Sequence, residues 1–374
     1  MLFNYQGHEF NFARYPETTN KSLRSWSAAE EYVLLKLEEM DLSSKTIAIS
    51  NDRFGFLSTI LNQYQPIMVI DRKSQRKAIQ QNISANNREW LPQLERSPLS
   101  EIPETIDIGI INIPKTLDLF RLYLHQLTHS LKQDGIVICS FMTKYFSPQM
   151  LSIAGEYFED VEQSLARKKS RVLILRNKNP QSEHDFLETI SYEFGEGQTQ
   201  ELMQYHGVFS SGNIDYATQF LIQHLQLAGE DKKVLDLASG NGVIARAVQL
   251  TDPSTELHLV DDSLLAIESS KLNMDAKHAF FHWNDTLTEF EELSFDLVLS
   301  NPPFHFGYET NIEVSVKLFQ EVANVLKPDG RFICVANQHL NYKTHLDKLF
   351  QSVEVIAQTE KFILYKCKKT ATVS

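Results

Sequence analysis

The chain has 374 residues, of which 42% are hydrophobic, and a formal net charge of −12. This length suggests about two domains, and the apolar content is enough for packed cores, which excludes a disordered or fibrous protein. No apolar run approaches the roughly 20 residues of a membrane-spanning helix, and the N-terminus lacks the pattern of a secretory signal. Three scattered cysteines are too few for a disulfide framework or a zinc site. We therefore expect a cytoplasmic protein with no membrane partner and no metal.

The charges are unevenly distributed along the chain. Residues 1–180 hold 22 Lys and Arg against 20 Asp and Glu, so the acidic excess lies in the second half. The cations of the first half form two clusters, which are typical either of solvated faces or of nucleic-acid contacts. The first cluster contains Arg72, Lys73, Arg76 and Lys77, and the second contains Arg167, Lys168, Lys169 and Arg171.

Strand-like and helical segments alternate in both halves. In chain order, the first half contains IMVIDRKSQRKAIQQN, IDIGIINIPK and LYLHQLTHSLKQDGIVICS. In the second half, strands are predicted at KKVLDLAS, ELHLVD, HAFFHW, FDLVLSN and RFICVAN. The helices between them are predicted at NGVIARAVQL, SLLAIESSKLN and VSVKLFQEVANVLKPDG, and Pro328 and Gly330 should end the last of these. The repeated β-α-β order predicts a mostly parallel, doubly wound α/β sheet.

The two halves resemble each other residue by residue. IDIGIINIPK aligns with FDLVLSNPPF, and matched residues lie about 190 positions apart, as Asn112 and Asn301 do. We predict two tandem Rossmann-like domains, 1–180 and 190–374, from an internal duplication, with a boundary near Pro180. The first copy keeps the scaffold but has lost the chemistry, because IAISNDRFGFLS and NIPK replace DLASGNGVIA and NPPF.

A glycine-rich turn follows the first strand of the second half. The segment DLASGNG runs from Asp236 to Gly242 and opens a helix. Gly240 and Gly242 let the backbone pass close to a ligand, and the helix N-terminus offers unpaired N–H groups. The spacing therefore predicts a cofactor site at this turn.

Carboxylates end the next two strands. Asp261 is well placed to accept two hydrogen bonds from ribose hydroxyls, and a register shift of one would give that role to Asp262. Asp285 follows the third strand, where an adenine ring would lie. It is either a contact to that ring or an aspartate that caps a turn or helix.

The four residues after FDLVLS are Asn301, Pro302, Pro303 and Phe304. Two consecutive prolines cannot continue a central strand, because neither can donate to the ladder. The strand must end there, at the carboxyl edge where doubly wound folds bind ligands. The Asn301 side-chain oxygen and the Pro302 carbonyl can accept hydrogen bonds from one exocyclic amine, and Phe304 can stack on the ring that carries it.

These motifs resemble the class I S-adenosylmethionine-dependent methyltransferases that act on exocyclic or amide nitrogens. NPPFH, the duplicated layout and the degenerate first half are similar to the guanine-N2 methyltransferases of bacterial ribosomal RNA. The resemblance implies S-adenosylmethionine as cofactor and a guanine of large-subunit RNA as substrate, with the first half recognising the RNA. Ala238 stands where the family has the first glycine of the turn. His305 is either a proton relay or a loop hydrogen-bonder.

The resemblance extends to two further features. The segment VFSSGNIDYATQF resembles the region that closes over the cofactor in this family, which makes Phe209 and Asp215 candidates for contact. RNA-binding residues are expected among the cations of the first half. They are Arg72, Lys73, Lys168, Lys169 and Arg171.

Three alternatives remain open from the sequence. The same chemistry would serve a small-subunit RNA guanine. Adenine N6 of DNA or a glutamine amide of a protein is a second possibility, although those families usually end the motif in Tyr or Trp. A non-catalytic RNA-binding assembly factor would fit the first half but not an intact Asn301 to Phe304 motif.

Overall fold

A computed structural model of the chain describes residues 1–180, 184–195, 197–210, 212–302, 305–306, 309–310 and 312–369. The chain divides into two compact units, Met1–Asp185 and Phe186–Ser374. We call them unit 1 and unit 2 and describe each by itself.

Unit 1 begins with a small antiparallel hairpin and continues as alternating strands and helices. Its strands are β1 Leu2–Tyr5, β2 His8–Asn11, β3 Ile47–Ser50, β4 Ile67–Val69, β5 Glu95–Arg96, β6 Ile106–Asn112, β7 Leu131–Met142, β8 Phe158–Gln163 and β9 Ser170–Lys178. Its α-helices are α1 Ala28–Leu37, α2 Phe56–Ile60, α3 Lys73–Ala85, α4 Leu117–Ser130 and α5 Pro148–Tyr157.

Unit 2 also opens with an antiparallel hairpin, which precedes its alternating elements. Its strands are β10 Leu187–Glu193, β11 Thr199–Tyr205, β12 Lys233–Leu237, β13 Glu256–Asp261, β14 Ala279–Trp283, β15 Phe295–Ser300, β16 His305–Phe306, β17 Glu309–Thr310, β18 Leu326–Asn337, β19 Ser352–Gln358 and β20 Phe362–Lys368. Its α-helices are α6 Tyr216–His224, α7 Val243–Thr251, α8 Leu264–Asn273, α9 Glu313–Val325 and α10 Lys343–Leu346.

Each unit contains a seven-stranded mixed sheet, and the two sheets have equivalent strand orders. The order is β5-β4-β3-β6-β7-β9-β8 in unit 1 and β14-β13-β12-β15-β18-β20-β19 in unit 2. The first five strands of each order are parallel, and the remaining pairings are antiparallel. The predicted α/β fold with a mostly parallel sheet is confirmed for both units.

The central strands are buried because helices cover both faces of each sheet. In β12 and β15, Val234, Leu235, Leu297 and Leu299 have no exposed surface. Such continuous apolar runs are typical of parallel strands that pack on both faces. The sheet therefore fixes the positions at which its strands end, and these strand ends carry the polar residues of interest.

The predicted strands and helices of unit 2 are confirmed, with one correction. Helix α9 ends at Val325, three residues before the proline that was expected to stop it. Leu326 is fully buried and already pairs with Phe295 of β15, so the chain enters the sheet before it reaches Pro328. Burial in the sheet here outweighs the helical pattern of the sequence.

The cysteines, the metal-ligating residue types and the helix lengths bear on the expectations drawn from composition. Cys139, Cys334 and Cys367 are buried free thiols, and burial raises the pKa of each, which keeps the thiols protonated. Within the described residues, no group of three or more His, Cys, Asp or Glu side chains is arranged to hold a metal ion. No helix in the same part of the chain is both long enough and apolar enough to cross a membrane.

Candidate active site

The turn after β12 carries three left-handed residues within five positions. They are Ala238 with φ 59°, Gly240 with φ 55° and Gly242 with φ 81°. A Cβ on Gly242 would lie 3.0 Å from Ser270 Cβ, so this glycine allows α7 to pack closely on α8. A Cβ on Gly240 would meet no atom within 4 Å. Gly242 therefore serves helix packing, whereas Gly240 lines open space beside the turn.

Asp261, at the end of β13, contacts this turn directly. Its Oδ2 accepts a hydrogen bond from the Gly240 backbone N–H at 2.9 Å, and its Oδ1 accepts from the Ser263 N–H at 2.8 Å. The structure thus brings together two residues that the sequence predicts to bind one cofactor. The neighbouring Asp262 makes a contact through its backbone, whose carbonyl accepts a hydrogen bond from Trp283 Nε1 at 2.9 Å.

Asp236 lies within β12 and is fully buried. Its Oδ2 accepts from the Ala245 N–H at 3.0 Å, and its Oδ1 has no hydrogen-bond partner among the described residues. Burial raises the pKa of Asp236 to about 7, and the neighbouring Asp261 carboxylate adds to this effect. A buried carboxylate oxygen without a donor is costly unless a ligand supplies one.

Asp285 lies beyond the end of β14, at the same edge of the sheet as Asp261. The Asn284 N–H donates to the Asp261 carbonyl at 3.0 Å, which joins the ends of β13 and β14. The ends of these two strands therefore present three carboxylates, Asp261, Asp262 and Asp285, at one edge.

Asn301, at the end of β15, has a defined amide orientation. Its Nδ2 donates to Asp215 Oδ2 at 3.0 Å and to Thr218 Oγ1 at 2.9 Å. Asp215 also caps α6 by accepting from the N–H groups of Ala217 and Thr218. Because both amide hydrogens are bound, the other end of the carboxamide presents its oxygen as an acceptor.

Thr218 was missed by the sequence analysis, and Asp215 was assigned a different role. Asp215, a candidate for contact with the cofactor, holds the amide of Asn301 in the structure, and its contact with the cofactor stays a prediction. The available signal was the Asp215-x-x-Thr218 spacing, which places a cap residue and a first-turn residue at the same helix end. The sequence separation of over 80 residues from Asn301 concealed their contact.

The structure describes some of the remaining predicted site residues and not others. Pro302 is buried and follows Asn301 beyond the end of β15. Phe304 lies outside the described residues, together with Pro303, and only the backbone of His305 is described, in β16. Phe209 is 66% exposed.

The predicted RNA-binding cations of unit 1 lie in three places. Arg72 and Lys73 stand at the beginning of α3, after β4. Lys168 and Lys169 lie in the turn between β8 and β9, where Lys168 Nζ contacts Glu31 at 2.8 Å. Arg171 lies in β9 and donates to Gln163 Oε1 at 2.9 Å.

Comparison with known proteins identifies the families that the two units resemble. The family model of the RLMG N-terminal domain matches residues 1–181, and the family model of the methyltransferase small domain matches residues 199–366. A solved T. thermophilus 16S rRNA N2 methyltransferase (RsmC), in complex with AdoMet and guanosine, shares the fold with a TM-score of 0.78. It is 18% identical, and the match covers 99% of this chain and 97% of that chain. The fold and the methyltransferase small domain therefore define a class I methyltransferase.

Curated relatives narrow this class. A Streptomyces coelicolor protein named ribosomal RNA large subunit methyltransferase G is 30% identical over 366 residues, which cover 96% of this chain and 97% of the relative. A Psychromonas ingrahamii protein of the same name is 29% identical, with 95% and 96% covered. The chain belongs to the ribosomal RNA large subunit methyltransferase G family.

Proposed function

We propose that this chain transfers a methyl group from S-adenosylmethionine to the exocyclic N2 of a guanine in 23S ribosomal RNA, in the cytoplasm. The names of its curated relatives support the large-subunit RNA as substrate. The orientation of Asn301 carries the proposal. Asp215 and Thr218 bind both hydrogens of its amide, at the sheet edge where the Asp261 carboxylate meets the glycine turn.

The residues at this edge fit the cofactor. Asp236 Oδ1 is buried without a donor, and Gly240 leaves open space where a side chain would stand. The Asp261 carboxylate, which accepts from the backbone N–H groups of Gly240 and Ser263, is assigned to the ribose hydroxyls. Asp285 is assigned to the adenine end. When bound, S-adenosylmethionine supplies a methyl group activated by its positively charged sulfur.

Asn301 and Pro302 act on the target amine. The lone pair of guanine N2 is delocalised into the ring, which makes the amine a poor nucleophile. Hydrogen bonds donated by its two N–H groups to Asn301 Oδ1 and the Pro302 carbonyl would direct the lone pair toward the methyl group. The N–C bond would form as the S–C bond breaks, and one of the two protons would leave to water. Positioning and electrostatic stabilisation then provide the acceleration, and no strong general base is required. Stacking of the base on Phe304 remains a prediction.

We further propose that the two units arose by duplication. Besides the shared strand order, both sheets shift register at the same point, between Ile106 and Ile108 in unit 1 and between Phe295 and Leu297 in unit 2. Both units also connect an asparagine amide at the end of the fourth strand in the sheet order, β6 or β15, to the N-terminal end of the helix before the sheet, α1 or α6. In unit 1 this contact is Asn112 Nδ2 to Glu30 Oε1, at 3.3 Å.

Unit 1 should bind no S-adenosylmethionine. In its turn after β3, the buried Asp52 holds the next helix, because its Oδ2 accepts from both the N–H and the hydroxyl of Ser58 at 2.7 Å. Arg53 stands where unit 2 has Gly240. We therefore assign catalysis to residues 190–374 and RNA recognition largely to residues 1–180.

The test is methyl transfer from tritium-labelled S-adenosylmethionine to total RNA, DNA and protein from cells that lack this chain. We expect label in large-subunit RNA, recovered as N2-methylguanosine after nuclease digestion. Asn301→Ala should abolish transfer while cofactor affinity stays within about threefold, because it removes an acceptor for the amine only. Label in DNA, in protein or in small-subunit RNA would identify one of the other substrates. Absence of transfer to all three would favour the assembly factor.

A further inference from the structure

The carboxyl edge of the sheet in unit 1 gathers positive charge. The parallel strands β4, β6 and β7 all end at this edge, and Met142 of β7 pairs with Ser170, so that the β8–β9 turn lies there too. A cation follows each of these strand ends. They are Arg72 and Lys73 after β4, Lys115 after β6, Lys144 after β7, and Arg167, Lys168 and Lys169 in the β8–β9 turn. We call these seven residues the cationic edge.

The carboxylates near the cationic edge are less accessible than its cations. Glu30, Asp52 and Asp71 are buried, and Glu31 already contacts Lys168. Asp118, in the first turn of α4, is half-buried. Lys73 is half-buried, and the other six cations are exposed. The solvent at this edge therefore meets mainly positive charge.

The fold does not require this charge. In unit 2, the corresponding edge of an equivalent sheet carries Asp261, Asp262 and Asp285 instead. Asp71 follows β4 and Asp261 ends the equivalent strand β13, but Arg72 comes next in unit 1 and Asp262 in unit 2. Two edges of one architecture thus suit ligands of different charge.

The β8–β9 turn holds its cations in an unfavourable backbone conformation. Lys168 has φ 48° and Lys169 has φ 61°, while Arg167 and Ser170 exchange backbone hydrogen bonds of 2.9 and 2.8 Å. A two-residue turn with two left-handed residues favours Asn-Gly, which avoids the steric cost of a Cβ. The sequence places two lysines there, and such backbone strain is typical of functional positions.

Neighbouring elements fix the turn and add apolar surface. The Lys169 carbonyl accepts from the Thr143 N–H at 2.8 Å, which joins the turn to the end of β7. Beyond it, Lys144 Nζ lies 4.4 Å from the centre of the Tyr145 ring. Leu165 is 86% exposed and Phe146 is 40% exposed. Cations interleaved with exposed aromatic and apolar groups suit a nucleic acid whose bases are unpaired.

We propose that the cationic edge binds the phosphate backbone of a single-stranded segment of the substrate RNA. The inference rests on the proposed function and names the surface of unit 1 through which that RNA is recognised. The seven cations lie at the carboxyl edge, where doubly wound sheets ordinarily bind small-molecule ligands. In unit 1, this edge binds RNA phosphates instead.

Charge neutralisation in the full chain tests this proposal. The variant K115Q/K144Q/R167Q/K169Q removes four exposed cations of the edge. The control K36Q/K45Q/R88Q/R176Q removes four cations near the opposite edge of the same sheet, with the same change in net charge. Binding of a protein-free 23S ribosomal RNA transcript is measured by filter retention between about 50 and 300 mM salt. Circular dichroism and S-adenosylmethionine binding show that each variant is folded.

We expect the edge variant to bind more than about tenfold more weakly at low salt. The slope of log K against log salt should fall by about 2 to 3, because each phosphate contact contributes roughly 0.7 on a single strand. The control should remain within about threefold. If the edge variant fails to fold, K115Q/K144Q leaves the strained turn intact and should show about half the change in slope.

Equal binding by the edge and control variants would overturn the proposal. Loss of binding to assembled large subunits with unchanged transcript binding would also overturn it, because the edge would then contact a protein. Failure of the proposed function gives a different result. In that case the wild-type chain transfers no methyl group to the transcript, whatever its affinity for RNA.

Discussion

The contact of Asn301 with Asp215 and Thr218 makes a quantitative prediction about catalysis. Thr218→Val keeps the shape of the side chain but removes the hydroxyl that accepts from Asn301 Nδ2 at 2.9 Å. A neutral hydrogen bond contributes about 0.5–1.5 kcal/mol, so kcat should fall roughly 2- to 12-fold. Asp215→Ala removes a charged acceptor worth about 1.5–3 kcal/mol and should lower kcat roughly 10- to 150-fold.

Conservative variants separate positioning from stability. Thr218→Ser keeps the hydroxyl and should retain nearly full activity. Asp215→Asn keeps the helix cap, whereas Asp215→Ala should also lower the free energy of unfolding by about 1 kcal/mol. A comparison of Asp215→Asn with Asp215→Ala therefore shows how much of the loss in kcat accompanies the loss of the cap.

The assay is steady-state methyl transfer to a 23S transcript, combined with calorimetric binding of S-adenosylmethionine. The loss should fall on kcat, while cofactor affinity and the KM for RNA change little, because the amide acts on the reacting amine. Equal kcat for Thr218→Val and Thr218→Ser would refute the role of this hydroxyl. A loss confined to cofactor affinity would instead return Asp215 to the cofactor site that the sequence suggested.

Three further predictions concern the glycine turn and the strands beside it. Asp261→Ala should weaken S-adenosylmethionine binding roughly 10- to 150-fold in calorimetry, because a charged acceptor worth about 1.5–3 kcal/mol is lost; unchanged affinity would contradict the assignment. Ala238→Gly should raise the free energy of unfolding by about 0.5–1 kcal/mol in urea, because φ is 59° and glycine relieves a penalty larger than its own entropic cost; a decrease would show that the turn is not strained. The pKa of Asp236 is raised to about 7, so the folded state binds its proton more tightly than the unfolded state, and this residue should lower stability as the pH rises from about 4 to 7. Asp236→Asn should remove that part of the pH dependence, measured as the difference from wild type in urea unfolding at pH 5 and pH 8, and an identical pH dependence in both proteins would disprove it.

The sequence by itself was enough for the architecture. Apolar runs such as Val234–Leu235 and Leu297–Leu299 predict buried parallel strands, because a strand covered on both faces needs apolar side chains on both. The two prolines after Asn301 place that strand end at the ligand-binding edge, because a central strand cannot continue through them. The same local constraints predicted the position of the glycine turn.

The sequence could not show how the Asn301 amide is oriented or how much backbone strain Ala238 introduces. The first depends on Asp215 and Thr218, more than 80 residues away in the chain, which the packing of α6 brings to the end of β15. The second depends on a backbone angle of 59°, which no residue type reveals when alanine occupies a glycine position.

The sequence showed where cations cluster along the chain, but only the structure showed which cations share one surface. Two cation clusters were visible in unit 1, but one of their members, Arg171, bonds to Gln163 within the sheet, and Lys115 and Lys144 belong to neither cluster. Only the parallel arrangement of the strands places Lys115 and Lys144 at the same edge as the β8–β9 turn. Local patterns determine which elements form, whereas a surface assembled from the ends of several strands depends on their order in the sheet.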